Sequence, residues 1–348
     1  MHDNRVYRAC KKNRRCEVIL NSQQTQPAGQ LVPADPADRA ELQRTTAAAQ
    51  AYIAESLAPN TIKAYQSDWA DFTAWCAKHQ REPLPAIPHT VILYLSHLAQ
   101  LGRKPSTIER RCASIKQAHR FAHHPSPTDT VEVEQALRGI RRSLKVAPTQ
   151  KAAAVTEIVR AMIEALPDKP SSLRDKALLL IGFVGAFRRS ELVSLDVRDI
   201  TFTNDGLAIN LRQSKTDQEG AGYLKGLPYG SNPDTCPVRT LHAWLDAGHI
   251  TEGPIFRSFS RRGVLQAKRL EDGEVARIIK RAARAAGLDA QQFSGHSLRA
   301  GFVTAAAAAG EPEYRIMEQT GHTSSATVRR YMRRGNLFRN NSASKIGL

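Results

Sequence analysis

Several patterns that define large classes of proteins are missing from this sequence. The five cysteines, which form no Cys-x-x-Cys pair and no cysteine/histidine set at zinc-finger spacing, are Cys10, Cys16, Cys76, Cys112 and Cys236. Their odd number and wide scatter are typical of reduced thiols in a cytosol, and they argue against a disulfide framework and against a structural zinc site. We therefore expect a cytoplasmic protein without a bound metal.

Long hydrophobic runs are missing too. The longest apolar run, residues 177–187, is too short to cross a bilayer. The apolar residues 18–20 near the N-terminus are too few for a signal peptide. The sequence also has no Walker-type glycine loop for a nucleotide phosphate. We therefore expect a protein that uses neither a membrane nor ATP.

Positive charge, by contrast, is in excess. The chain has 50 Lys and Arg residues against 33 Asp and Glu, which gives a formal net charge of +17 and an isoelectric point of about 10.0. Residues 1–150 contain 21 basic and 13 acidic residues (+8), and the remainder contains 29 and 20 (+9). Because both halves are basic, the composition favours a protein that binds a polyanion through two domains.

The first part of the chain predicts a flexible arm followed by a helical domain. Residues 1–44 are polar, basic and proline-containing without sustained periodicity, which is typical of a flexible arm. Over 45–146, apolar residues recur at steps of three and four in four segments joined by short loops. This pattern predicts a small helical bundle, and the Pro-containing stretch 147–154 predicts a linker.

The remainder, residues 155–348, predicts a mainly helical second domain with one small antiparallel β-sheet. Short β-like segments are expected at about 199–202, 207–211 and 223–227, and a turn at 204–206 separates the first two. Helical segments are expected at about 156–166, 172–187, 237–247, 272–286, 297–309, 312–319 and 324–333. The predicted fold class is therefore mainly α with a small antiparallel sheet in the second domain.

Reactive side chains are concentrated between residues 296 and 331. The region contains His296, Arg299, His322 and Tyr331. A histidine and an arginine three positions apart share a helix face and can bind one anion together. A tyrosine that follows can attack the phosphorus of that anion. The pattern therefore predicts covalent phosphoryl transfer on DNA.

Together with an upstream segment, these residues resemble the tyrosine recombinase (phage integrase) family. Residues 188–192, Arg-Arg-Ser-Glu-Leu, are similar to the first arginine box of the family. His296-x-x-Arg299 is similar to the second box, and Gly321-His322 followed by Tyr331 is similar to the third. The resemblance covers roughly residues 45–340. It implies a helical core-binding domain, an α+β catalytic domain and recombination of DNA.

The two arginine boxes imply how the phosphate is held. Two arginines can bind the non-bridging oxygens of a phosphodiester by forked hydrogen bonds without a metal ion. We expect Arg188 and Arg299 in this role, with Glu191 orienting the neighbouring groups. Arg189 competes for the first position, but Arg188 has the family spacing to Glu191.

The proton-transfer roles follow from the same resemblance. Because a phenol is largely protonated at neutral pH, Tyr331 needs a nearby base or positive charge before it attacks. His296 is expected to be that base, and His322 is expected to donate a hydrogen bond to the phosphate. Lys215 matches the mobile lysine of the family and is the expected acid for the departing 5′-oxygen. Lys225 lies in the same sheet region and is its competitor.

Clusters of positive charge in the first domain predict contacts with DNA phosphates. The expected contact residues are Lys104, Arg110, Arg111, Lys116, Arg120, Arg141 and Arg142. The tail beyond Tyr331 contains Leu337, Phe338 and Ile346, and related proteins often dock such a segment on a neighbouring protomer. The resemblance thus implies a homotetramer on synapsed DNA.

We therefore predict a site-specific recombinase that cleaves and rejoins duplex DNA through a 3′-phosphotyrosine, without metal or ATP. One alternative keeps the chemistry in a type IB topoisomerase or a telomere resolvase. A second alternative is a catalytically silent DNA-binding protein. The sequence argues against the second, since none of the predicted catalytic positions has been lost.

Overall fold

The computed structural model describes residues 35–55, 59–145, 151–212, 222–322 and 324–335. The chain divides into two compact units, residues up to 149 and residues from 150 onward. Residues 1–34 of the predicted arm, residues 147–150 of the predicted linker, Lys215 and the tail lie outside the described residues. In the described part, no helix is both long and apolar enough to span a bilayer.

The described residues of the first unit form five helices, α1 (Pro36–Glu55), α2 (Pro59–Lys78), α3 (Pro88–Gln100), α4 (Pro105–Phe121) and α5 (Val131–Leu144). Helices α2 to α5 contribute to one apolar core around Phe72, Leu95, Ile108 and Val133, all fully buried. The apolar residues at steps of three and four therefore predicted this bundle correctly.

Helix α1 corrects the prediction of a flexible arm over residues 36–44. The segment is helical from Pro36, although the side chains described there are exposed. Alanine, glutamate and arginine have high helix propensity, so the segment forms a helix without an apolar face to bury. Apolar periodicity cannot detect such a helix.

The second unit surrounds one buried helix. Its helices are α6 (Thr156–Glu164), α7 (Pro170–Val184), α8 (Arg189–Ser194), α9 (Pro237–Ala247), α10 (Asp272–Ala285), α11 (Ser297–Ala309), α12 (Glu313–Thr320) and α13 (Ser325–Gly335). All seven residues of α7 from Ala177 to Phe183 are buried. The longest apolar run of the sequence thus supplies most of the central helix of this core. A helix that is apolar on every side has to be covered by other elements on every side.

Two antiparallel sheets are found in the part of the second unit that the structure describes. Strands β1 (Ile200–Phe202), β2 (Gly206–Leu211) and β3 (Tyr223–Pro228) pair in sequence order, with Ile209 opposite both Ile200 and Lys225. A second sheet joins β4 (Arg257–Phe259) to β5 (Leu265–Arg269). The prediction of one sheet was therefore incomplete. The second hairpin is short, and neither of its strands alternates between buried and exposed residues, so it has no period-two signal.

A glycine in α11 allows the start of the second unit to pack closely on this helix. The backbone N–H groups of Ala152 and Ala154 donate to the carbonyls of Gln292 (2.7 Å) and Ser297 (2.9 Å). A Cβ at Gly301 would lie 1.9 Å from the carbonyl oxygen of Ala154. This segment therefore rests directly on the helix that carries Arg299.

Gly301→Ala is expected to destabilise the protein by roughly 1–3 kcal/mol, because the new methyl group meets backbone and overpacks the contact. Alanine's better helix propensity, about 1 kcal/mol, offsets only part of that cost. Gly273→Ala in α10 is the control, since a Cβ there meets nothing within 4 Å. Urea unfolding of both variants tests the expectation, and equal stabilities would contradict it.

Candidate active site

The first arginine box lies where the chain turns from α7 into α8. Ala186 occupies the left-handed region with φ of 49°, and Arg188 is the N-cap of α8. The buried carboxylate of Glu191 accepts from the backbone N–H of Arg188 at 2.9 Å and from its Nη1 at 2.5 Å. Glu191 therefore fixes both the turn and the guanidinium, which agrees with its predicted orienting role.

Arg299, on α11, is buried, and only one of its two terminal nitrogens has a hydrogen-bond partner among the described residues. Its Nη1 donates to the carbonyl of Ala186 at 2.8 Å. Its Nη2 is buried and has no hydrogen-bond partner among the described residues. Burial and the positive charge of Arg188 lower the pKa of Arg299 to about 10, although Glu191 and Tyr331 act in the opposite direction. Since buried donors are normally paired, this N–H marks a place for an acceptor.

His322 faces the same two arginines. It follows Gly321, whose φ of 63° ends α12. Its Nδ1 lies 2.7 Å from the hydroxyl of Thr320, which itself donates to the carbonyl of Ile316 at 2.7 Å. Burial lowers the pKa of His322 to about 4, and the charges of Arg299, Arg188 and Lys225 contribute in the same direction. The imidazole is therefore neutral at pH 7.

Tyr331 lies on α13, half-buried against a small apolar cluster. The buried members of this cluster are Val303, Ala307, Ile316 and Val328, from α11, α12 and α13. The electrostatic interaction of Tyr331 with Arg299 places the phenol near the guanidinium. The apolar packing thus holds the phenol beside the arginine pair.

His296 differs from Arg299 in its environment. It is the N-cap of α11, before the first turn, and it is exposed, whereas Arg299 is buried. Its backbone N–H donates to the hydroxyl of Ser294 at 3.3 Å. Its backbone has right-handed helical angles, and its carbonyl accepts from the N–H of Ala300 at 3.0 Å. The expected common helix face with Arg299 stays a prediction. The assignment of His296 as the base stays a prediction.

The structure distinguishes the two neighbouring arginines of the first box. A Cβ at Gly295 would lie 1.7 Å from Cδ of Arg189, so the side chain of Arg189 passes directly over this glycine. Its Nη2 is 4.0 Å from the carboxylate of Asp272. Arg188, by contrast, interacts electrostatically with Arg299 and His322. The geometry thus favours Arg188 for the phosphate role.

The predicted lysine and its competitor have different outcomes. Lys215 lies outside the described residues, between the end of β2 and the start of β3. Lys225, on β3, is 2% exposed and is close enough to Glu191, Arg299 and Arg188 to interact with them. From the sequence, Lys225 was considered only as a competitor for the acid role. No sequence pattern indicated that its side chain is buried.

Several predicted DNA-contact residues in the first unit have intramolecular partners. Arg111 is 13% exposed and pairs with Asp68 and Asp71, and its Nη1 also donates to the hydroxyl of Tyr94 at 2.7 Å. Three more pairs are Arg110 with Asp68, Lys116 with Asp129 and Arg141 with Glu109. Lys104, Arg120 and Arg142 are exposed and form no ion pair within the described residues. The geometry therefore weighs against Arg111 as a DNA contact.

The described cysteine, histidine and acidic side chains form no metal site. Cys76, Cys112 and Cys236 are buried free thiols. Within the described ranges, no three His, Cys, Asp or Glu side chains lie together as a potential metal site. The buried Arg299, with Arg188 and Tyr331 near it on a mainly helical unit with small antiparallel sheets, defines an enzyme of the tyrosine recombinase class.

Comparisons with known proteins agree with this class. Residues 155–336 match the phage integrase family, and residues 50–125 match the phage integrase N-terminal SAM-like domain. The chain is 39% identical to an integrase/recombinase xerD homolog of Selenomonas ruminantium over 87% of this chain and 90% of the relative. It is 27% identical to recombinase cre of Escherichia phage P1 over 80% of this chain and 85% of the relative. The chain belongs to the phage integrase family.

Solved structures show the same fold. A lambda integrase dimer bound to a COC′ core site aligns with a TM-score of 0.55 at 18% identity, over 84% of this chain and 76% of that one. XerH recombinase bound to a palindromic difH substrate aligns with a TM-score of 0.54 at 16% identity, over 75% and 72%. These matches confirm the predicted fold class of a helical N-terminal domain and a recombinase catalytic domain.

Proposed function

We propose that this recombinase cleaves and rejoins duplex DNA at a specific site through a covalent bond to Tyr331. The observation that carries the proposal is the buried Nη2 of Arg299, which has no partner in the described residues and lies in a region crowded with positive charge. A phosphodiester oxygen would supply both the missing acceptor and the compensating negative charge. Burial of this donor is otherwise unfavourable.

In the proposed step, the phenolic oxygen of Tyr331 forms a bond to phosphorus and the bond to the 5′-oxygen breaks. The product is a 3′-phosphotyrosine and a free 5′-hydroxyl. Arg188 and Arg299 bind the non-bridging oxygens, where negative charge grows in the pentacoordinate transition state. Because the phosphotyrosine keeps the phosphodiester linkage, attack by a 5′-hydroxyl reverses the step without ATP. The arginine pair supplies the positive charge without a metal.

Proton transfer completes the reaction. We assign removal of the phenolic proton to His296 and protonation of the leaving 5′-oxygen to Lys215. With the hydroxyl hydrogen of Thr320 on the carbonyl of Ile316, Nδ1 of His322 carries a proton and Nε2 is free to accept one. The negative charge of a bound phosphate opposes the burial and positive charge that lower the pKa of His322. His322 then donates from Nε2 to the phosphate.

Duplex DNA is the proposed partner, bound by both domains. The solved relatives include a lambda integrase dimer bound to a core site and XerH bound to difH. The net charge of +17 is consistent with such a polyanionic ligand. We propose that four copies assemble on two synapsed sites, with the segment after residue 335 docking on a neighbour. The cytoplasmic location remains a prediction, as do the domain boundaries at 45–146 and 155–348.

The exposed cations of the first unit should contribute to affinity separately. Lys104→Ala and Arg120→Ala are each expected to weaken binding to all sequences and to reduce the slope of log affinity against log salt by about one. Arg111→Ala is the matched comparison. It should lower stability, because Asp68 and Asp71 lose a shared partner, and leave the salt slope unchanged. A salt-slope change for Arg111→Ala would restore it as a DNA contact.

Recombination between two sites tests the proposed function. A plasmid with two directly repeated cognate sites, or flanking DNA from the native locus, is incubated with protein in EDTA and without ATP. The proposal expects two smaller circles, each with one site. Relaxation of supercoils without exchange would favour the topoisomerase alternative. Binding without any cleavage would favour the catalytically silent one.

A further inference from the structure

Lys225 is a buried cation with two backbone partners from distant parts of the chain. Its Nζ donates to the carbonyl of Gly185 at 2.8 Å and to the carbonyl of Gln319 at 2.5 Å. It also lies 4.9 Å from the centre of the Phe187 ring, within cation–π distance. A buried lysine is costly unless it is paired, so its presence here calls for a reason beyond packing.

The two carbonyls belong to the segments that present the first and third boxes. Gly185 ends α7 three residues before Arg188, and Gln319 lies three residues before His322. Further bonds join the same segments: Nε2 of Gln319 donates to the carbonyl of Val184 at 3.0 Å. The ammonium of Lys225 on β3 thus links the ends of two helices, α7 and α12, that are more than 130 residues apart in the sequence.

Charged groups face Lys225 from several elements. Its electrostatic neighbours are Glu191 on α8, Arg188 before α8, Arg299 on α11, His322 after α12 and Tyr223 on its own strand. Burial is the main reason that the pKa of Lys225 is lowered to about 7; Glu191 acts against this shift, and Arg299 and Arg188 contribute to it. The same arginines are the proposed phosphate ligands, so a phosphate charge would favour the protonated lysine.

We infer that Lys225 is a positioning residue, which holds the segments of Arg188 and His322 in a fixed relative position. This inference rests on the proposed function. The lysine acts through the two backbone carbonyls, while transfer of a proton to the leaving oxygen stays with Lys215. Loss of Lys225 should therefore displace the phosphate ligands without removing the acid.

Single-turnover cleavage of a suicide duplex tests the positioning role. Lys225→Met is expected to slow cleavage about 10- to 100-fold, as for a small displacement of reacting groups. Lys225→Arg, which keeps charge and donors, should recover most of that loss. Tyr314→Phe is the control, because Tyr314 lies on the same helix as Gln319 and its side chain is 64% exposed. It should remain close to wild type. Thermal unfolding of each variant verifies that it is folded.

A duplex with sulfur in place of the bridging 5′-oxygen separates positioning from acid catalysis. A thiolate leaves without a proton, so loss of a general acid is rescued and loss of positioning is not. We expect Lys225→Met to be equally impaired on both duplexes and Lys215→Met to be rescued by sulfur. Rescue of Lys225→Met, or wild-type rates on the ordinary duplex, would overturn the inference.

Discussion

Tyr331→Phe is expected to abolish strand cleavage, with a loss on the order of 10⁴-fold or more, because the nucleophilic oxygen is removed. The ring remains, so its packing against Val303 and Val328 should persist and stability should change by less than about 1.5 kcal/mol. DNA binding should be retained. Cleavage on a suicide duplex and a gel-shift titration measure the two properties separately.

Tyr314→Phe is the control for this prediction. Tyr314 is 64% exposed on α12 and lies in the same region of the second unit. Its phenylalanine variant should cleave DNA at the wild-type rate. If Tyr314→Phe lost cleavage and Tyr331→Phe retained it, the nucleophile would have to be reassigned.

Arg299→Met is expected to slow cleavage on the order of 10³-fold while leaving stability unchanged or higher. Each donor aimed at transition-state charge contributes about 10²- to 10³-fold, which sets the scale of the loss. With a pKa of about 10 the guanidinium is charged at pH 7, and it is buried with one nitrogen unpartnered in the described residues. An apolar side chain removes that unfavourable burial. Arg299→Lys should also be slow, since it lacks the fork.

Arg174→Met is the matched control, and we expect the opposite effects on stability and on cleavage. Arg174 is equally buried, but it donates twice to Asp175 and once to the carbonyl of Arg257. Its loss should lower stability and leave the cleavage rate of the folded enzyme unchanged. Calorimetry with single-turnover kinetics checks both variants. A large loss of stability in Arg299→Met, with cleavage preserved, would contradict the assigned role.

Much of the fold could be predicted from the sequence where apolar residues recur with helical spacing. The bounds of α9, predicted at about 237–247, are Pro237–Ala247 in the structure. Elements without an amphipathic pattern were missed: α1 is exposed and rich in alanine, and β4 and β5 have no buried face that alternates. Periodicity reports burial on one face, so it cannot detect elements that bury little.

The candidate site could be predicted as a set of residue types, and its internal geometry could not. The order of the boxes indicated Arg188, Arg299, His322 and Tyr331, and the structure brings these four together. The exposure of His296 at the start of α11 depends on where the helix begins.

Tertiary neighbours explain the remaining differences. Lys225 links the ends of α7 and α12, because its ammonium donates to a backbone carbonyl at each of them. Arg111 has its partners on α2, at Asp68 and Asp71. Neither neighbourhood is visible in a local sequence pattern, because the partners are tens of residues away in the chain.

The central claim is the covalent bond between DNA and Tyr331, and mapping that bond tests it most directly. The wild-type protein is trapped on a suicide duplex, digested with trypsin and nuclease, and analysed by mass spectrometry. The account predicts one nucleotide adduct, attached through a 3′-phosphate to the tryptic peptide Tyr-Met-Arg, residues 331–333. An adduct on another peptide, or one attached through a 5′-phosphate, would contradict it.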